Sequence, residues 1–117
     1  MIEITLYKQR ENLLGIESKG HSGAGTKGND IICAAVSVLM QSLMLGLMEV
    51  VKLETAAYYT DDKKPLIRIT WNEREINKAH DLAETVAKSL ECIAKDNPKH
   101  VKVHSHSTEE INNDIPF

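Results

Sequence analysis

Two side chains suited to covalent chemistry stand close together in the chain. His21 follows Gly20, and Cys33 falls inside the run Gly28-Asn29-Asp30-Ile31-Ile32-Cys33-Ala34-Ala35-Val36-Ser37. A thiolate is the nucleophilic form of cysteine, and the unpaired N–H groups and dipole at a helix start stabilise it, as does a nearby imidazolium. A reactive pair of Cys33 and His21 built this way is chemically plausible. Between them, Ser22-Gly23-Ala24-Gly25-Thr26-Lys27-Gly28 has no period and three glycines, which predicts a flexible loop able to fold over both. Asp30 could orient His21 or cap the helix, and Ser37 could bond the thiolate or the carbonyl one turn back. Each residue also has a bland reading: Cys33 as a small buried hydrophobe, and His21 as a hydrogen-bonded boundary residue. Cys92, with no such setting, reads as a packing residue.

These groups need elements to hold them. Ile2, Ile4 and Leu6 alternate with polar residues, and Gln9 to Asn12 turn the chain into Leu14, Ile16 and Ser18, which predicts a hairpin ending at His21. Asn29 and Asp30 supply a cap for a helix running to about Glu49, uncharged from Ile31 to Met48 and apolar nearly all round. A second hairpin follows, with one strand over Val51 to Tyr59 and the other over Leu66 to Trp71. Asn72 and Glu75 outline a capping box for an amphipathic helix that Asn97-Pro98 stops. Val101 to His104 give a short last strand. The ββαββαβ order predicts an α+β domain over 1–106, a mixed and mostly antiparallel sheet carrying two helices, with a mobile polar tail over 107–117. The first helix has more apolar surface than one sheet can cover, so a homodimer through it is expected.

The chain has 117 residues, room for one core. A net charge of −3 excludes the general attraction to phosphate backbones that nucleic-acid binders use. The two cysteines are not spaced as a pair, which predicts reduced thiols and a cytoplasmic protein. The N-terminus lacks the pattern of a secretory signal. Ile31 to Met48 approaches the length of a membrane span, but it lacks basic or aromatic anchors and reads as a helix buried on most sides. A phosphate-binding loop is disfavoured because Gly25-Thr26-Lys27-Gly28 lacks the terminal Gly-Lys-Ser/Thr and Asp30 would repel an anion. His100, His104 and His106 share one parity and could face one way, but the His104-x-His106 pair lacks a third ligand of firm geometry, so no metal is expected.

The pattern Gly20-His21, then Gly28-x-Asp30-Ile31-Ile32-Cys33-Ala34-Ala35-Val36-Ser37, resembles the signature of the bacterial ribosomal-processing cysteine protease family, often called Prp. The resemblance implies a cysteine endopeptidase without cofactor that removes the N-terminal extension of a large-ribosomal-subunit protein, and it implies a homodimer. It also implies that Cys33 is the nucleophile and His21 the proton carrier, with Asp30 and Ser37 at further motif positions. An oxyanion hole from backbone N–H groups near Ile32 and Cys33 would complete such a site. The alternative is a non-catalytic adaptor that binds a ribosomal protein tail and uses Cys33 only for packing.

Overall fold

The N-terminal alternation forms β1 (Ile2–Gln9) and β2 (Asn12–Lys19), joined through Arg10 and Glu11 at φ 49° and 72°. Two successive positive φ values give the turn a twist that matches the strands it connects. The computed structural model describes residues 1–21, 23, 30–61 and 63–107. The expectations for Ser22, for Ala24 to Asn29 and for the tail beyond Ser107 lie outside those residues.

Helix α1 (Ile31–Leu45) continues into a π turn over Gly46–Val50, so the helical run ends one residue beyond the expected Glu49. The second hairpin is shorter than its alternation suggests: β3 is Ala57–Asp61 and β4 is Leu66–Thr70. Val51, Leu53 and Thr55, expected in strand, are irregular. Lys52 adopts a positive φ of 59°, and the N–H groups of Glu54 and Thr55 donate to the Glu75 carboxylate at 3.0 and 2.7 Å. Those donors are thus taken before any ladder can use them.

The same contact corrects the capping box. Asn72 caps a short 3-10 turn, Glu73–Glu75, by accepting from Arg74 N–H, while Glu75 turns away to hold the 54–55 backbone and the Thr55 hydroxyl. Glu75 is only 3% exposed. The Thr55 hydroxyl above all, then the two N–H groups, holds its carboxyl below the usual range against the opposing effect of burial. Helix α2 (Ile76–Asp96) follows, and Asn97 closes it by donating to the Ile93 and Ala94 carbonyls. Strand β5 (Val101–Ser107) runs longer than expected, because Ser105 to Ser107 pair with Leu6 to Lys8.

The five strands form one sheet in the order β3-β4-β2-β1-β5, antiparallel throughout except for the parallel β1–β5 pair. This is the expected α+β class and element order. Register places Leu6, Ile16, Ile69 and Tyr58 in one row across the sheet, with Ile4, Ser18, Ile67 and Thr60 in the next row on the same face. Val36, Met40, Leu43 and Leu47 of the first helical run and Ala79, Ala83, Val86 and Leu90 of α2 join this face in one core. The row between them carries Thr5, Glu17, Arg68 and Tyr59 to the opposite face. There Arg68 pairs with Glu17 at 2.9 Å and lies 5.2 Å from the Tyr59 ring centre. Burial above all, and then the Glu17 carboxylate, push the nearby Tyr7 phenol up.

The run Ile31–Val50 is long and apolar enough to cross a membrane. It also places four side chains in the domain core while leaving Ile31, Val38, Leu45, Met48 and Val50 exposed. Along α1, Ile31, Val38 and Leu45 recur every seven residues, so these exposed apolar side chains share one face of the helix, with the exposed Ser42 among them.

Candidate active site

β2 delivers His21, and Gly20 sets where it goes. Gly20 has φ 96°, its N–H donates to the Pro65 carbonyl at 2.8 Å, and a Cβ there would lie 2.5 Å from the Met1 carbonyl oxygen. Only glycine passes through that gap without strain. The chain leaving β2 is thereby fixed between the start of β1 and the tip of the β3–β4 hairpin.

α1 delivers Cys33. Asp30 has extended backbone and caps the helix: its Oδ1 accepts the Cys33 N–H at 3.0 Å, and its carbonyl accepts the Ala34 N–H at 3.1 Å. Capping was one of the two roles open to Asp30, and this geometry realises it. It also revises the expected oxyanion hole, because the Cys33 N–H already serves the Asp30 carboxylate.

His21, Cys33 and Ser37 line one cleft of about 780 Å³, which also takes in the hairpin residues Thr60, Lys63 and Ile67. The cleft lies on the helix-bearing face, between α1 and the β3–β4 hairpin, where neither helix covers the sheet. Cys33 is half-buried and His21 exposed. This arrangement brings a thiol, an imidazole and a hydroxyl to one concave surface that has room for an extended peptide. Of the expected loop, Gly23 is described, at φ 71°, and among the described residues no atom lies within 4 Å of where its Cβ would be.

The sequence reading missed the far wall. Tyr58 and Thr60 face the cleft by strand parity, but the alternation could not tell which sheet face the helices would leave bare. Gln41 was likewise passed over. It stands one turn beyond Ser37 on α1 and lines the same cleft.

Cys92 is exposed, contrary to the packing role expected of it. It falls off the buried Ala79–Ala83–Val86–Leu90 stripe of α2. Among the described residues no group of three His, Cys, Asp or Glu side chains could hold a metal. His104 lies 3.6 Å from Glu3, and the His106 ring meets Tyr7 edge-on at 5.6 Å.

The fold has solved counterparts. The essential ribosomal processing protease Prp from S. aureus, in complex with a covalently linked product peptide, superposes with a TM-score of 0.82 at 20% identity, over 91% of this chain and 100% of that one. The same protease with a substrate peptide gives 0.76 at 19% identity, again over 91% and 100%. SMU.848 from Streptococcus mutans gives 0.75 at 27% identity, over 92% of this chain and 95% of that one. No curated relative matches the chain. The family model described as cysteine protease Prp matches residues 1–102, nearly all of the described structure. With the glycine-histidine strand end and the capped cysteine helix meeting at one cleft, the chain belongs to the Prp cysteine protease family.

Proposed function

We propose that this protein is a cysteine endopeptidase that removes the N-terminal extension of a large-ribosomal-subunit protein. The observation that carries this reading is the meeting of His21 and Cys33, from separate elements, at one peptide-sized cleft in a chain of this family. The peptides bound to the S. aureus protease support a peptide substrate. In the reaction, the Cys33 sulfur attacks the scissile carbonyl carbon while His21 takes the thiol proton. The tetrahedral intermediate collapses, the C–N bond breaks, and His21 returns the proton to the leaving amine. Water then attacks the thioester, with His21 as base, and frees the thiol. Asp30 holds the first turn of α1 and so fixes the direction from which Cys33 enters the cleft. Ser37, one turn on, supplies a hydroxyl on the same wall.

The reading extends to a cytoplasmic homodimer. Two reduced thiols suit that compartment, and the exposed stripe through Ile31, Val38 and Leu45 carries no charge that would oppose pairing with a second copy. The decisive experiment incubates the extended precursor with this protein and with Cys33→Ala, followed by mass spectrometry. One new N-terminus that is absent with Cys33→Ala supports the proposal. A precursor that is bound but uncut favours the adaptor, and slow alkylation of Cys33, unchanged in His21→Ala, would agree with it.

A further inference from the structure

The cleft extends well beyond the reacting pair, and its distal half has a chemistry of its own. Along α1 the groups facing it are Cys33, Ser37 and Gln41, spaced four residues apart on one slanting row. Opposite, Thr60 and then Tyr58 lead away from the hairpin tip along β3. Ile67 lies between the walls as an apolar floor, with Val36 at the foot of the helix. Gln41 brings an amide donor and an acceptor, and Tyr58 a hydroxyl, to a cleft whose walls also carry the Ser37 and Thr60 hydroxyls.

At 1.5 Å per helical residue, Gln41 stands roughly 12 Å along the axis from Cys33. An extended peptide covers that span in roughly three to four residues, at about 3.3 Å each. Such a peptide carries main-chain N–H and C=O groups that lose water on entering the cleft and need partners. A carboxamide can serve an N–H and a C=O together, so Gln41 suits backbone capture better than recognition of a charged side chain.

Resting on the protease reading, we infer that Gln41, with Tyr58 across the cleft, clamps the substrate main chain three to four residues from the scissile bond. The clamp makes cleavage depend on peptide length on that side, while the apolar floor takes one of the intervening side chains. Gln41 and Tyr58 are then specificity residues that act on binding and leave the bond-breaking groups alone. Their effect appears in KM more than in kcat.

The test uses nested synthetic peptides spanning the processing site, shortened one residue at a time from either end. Wild type should lose about tenfold in kcat/KM, equivalent to about 1.4 kcal/mol, when the residue three or four positions away on one side is removed. Gln41→Ala should reduce that step to less than about twofold, and Tyr58→Phe should reduce it in part. Both side chains are exposed at the cleft, so the variants fold. A step that persists in Gln41→Ala, or the lack of any step at that distance, overturns the inference. If wild type cuts none of the peptides, the protease reading fails separately. Anisotropy of the same labelled peptides on Cys33→Ala, with and without Gln41→Ala, still reads the clamp. Length-independent binding, or none, overturns it there too.

Discussion

Replacing Gly20 with alanine should damage both stability and activity, and the geometry sets the scale. The φ of 96° costs an L-residue about 1–2 kcal/mol. The added Cβ meets the Met1 carbonyl oxygen at 2.5 Å, a backbone atom that has no rotamer to escape into. Reaching an ordinary separation of about 3.5 Å moves one of the two segments by about 1 Å. Overpacking of that kind costs about 1–3 kcal/mol more. A total of roughly 2–5 kcal/mol lowers the melting temperature of a domain this size by about 8–20 °C. Because the residue that shifts precedes His21, a misplacement of about 1 Å should also cut turnover about a hundredfold. Gly23→Ala is the control: its φ of 71° is also positive, but among the described residues a Cβ there meets nothing within 4 Å. It should lower the melting temperature by no more than about 8 °C. Thermal unfolding and precursor processing of the two variants, side by side, decide the matter. If Gly20→Ala melts with Gly23→Ala and processes normally, the contact with Met1 does not position His21.

Asp30→Ala removes the α1 cap and should cost about 1 kcal/mol in denaturant unfolding, whereas Asp30→Asn, which still caps, should cost little. A large fall in turnover of the Asn variant at unchanged stability would give the carboxylate charge a part in the reaction. The lowered carboxyl of Glu75 contributes stability that is complete above the ordinary value of 4.5 and lost as pH falls through its lower folded value. Melting temperature against pH should therefore drop on the acid side in wild type, and Glu75→Gln should be less stable near neutrality with a flatter acid limb. Val38→Glu and Leu45→Glu place a charge on the exposed stripe of α1 without touching the core. Each should weaken self-association by at least about a hundredfold in sedimentation, the effect of about 3 kcal/mol, and a dimer of unchanged affinity would place the interface elsewhere.

The elements that position His21 and Cys33 were legible because each is announced locally. Alternation marks β2, glycine marks its end, and Asp30 followed by an uncharged apolar run marks the helix that carries the thiol. What was not legible depends on residues distant in sequence. Val51 to Thr55 alternate as a strand would, yet the Gly46 and Leu47 carbonyls take the Val51 and Leu53 N–H groups, and Glu75, some twenty residues on, captures those of Glu54 and Thr55. The same diversion defeated the capping box, since the spacing fits but the side chain has another partner. Cys92 was misplaced because an apolar-looking residue near a helix end can face either way. The Gln41 and Tyr58 wall was hidden because the bare part of the sheet is set by where α1 packs, which no local pattern encodes.

The parallel pairing of β1 with β5 also governs when this protein can exist as a folded object. Of the five described strands β1 is synthesised first and β5 last, and their ladder runs from Ile2–Val101 to Lys8–Ser107, anchored by the Ile2 N–H on the His100 carbonyl. A growing chain can make the β1–β2 hairpin early, but it holds the other edge of β1 open until residue 101 has appeared. An unpaired strand edge invites pairing with other chains, and contacts so distant in sequence form slowly. Ile2, the residue at which the ladder starts, also lines the cleft. A chain cut short before its last strand therefore lacks a fixed cleft, and the domain stays latent until its synthesis is nearly complete.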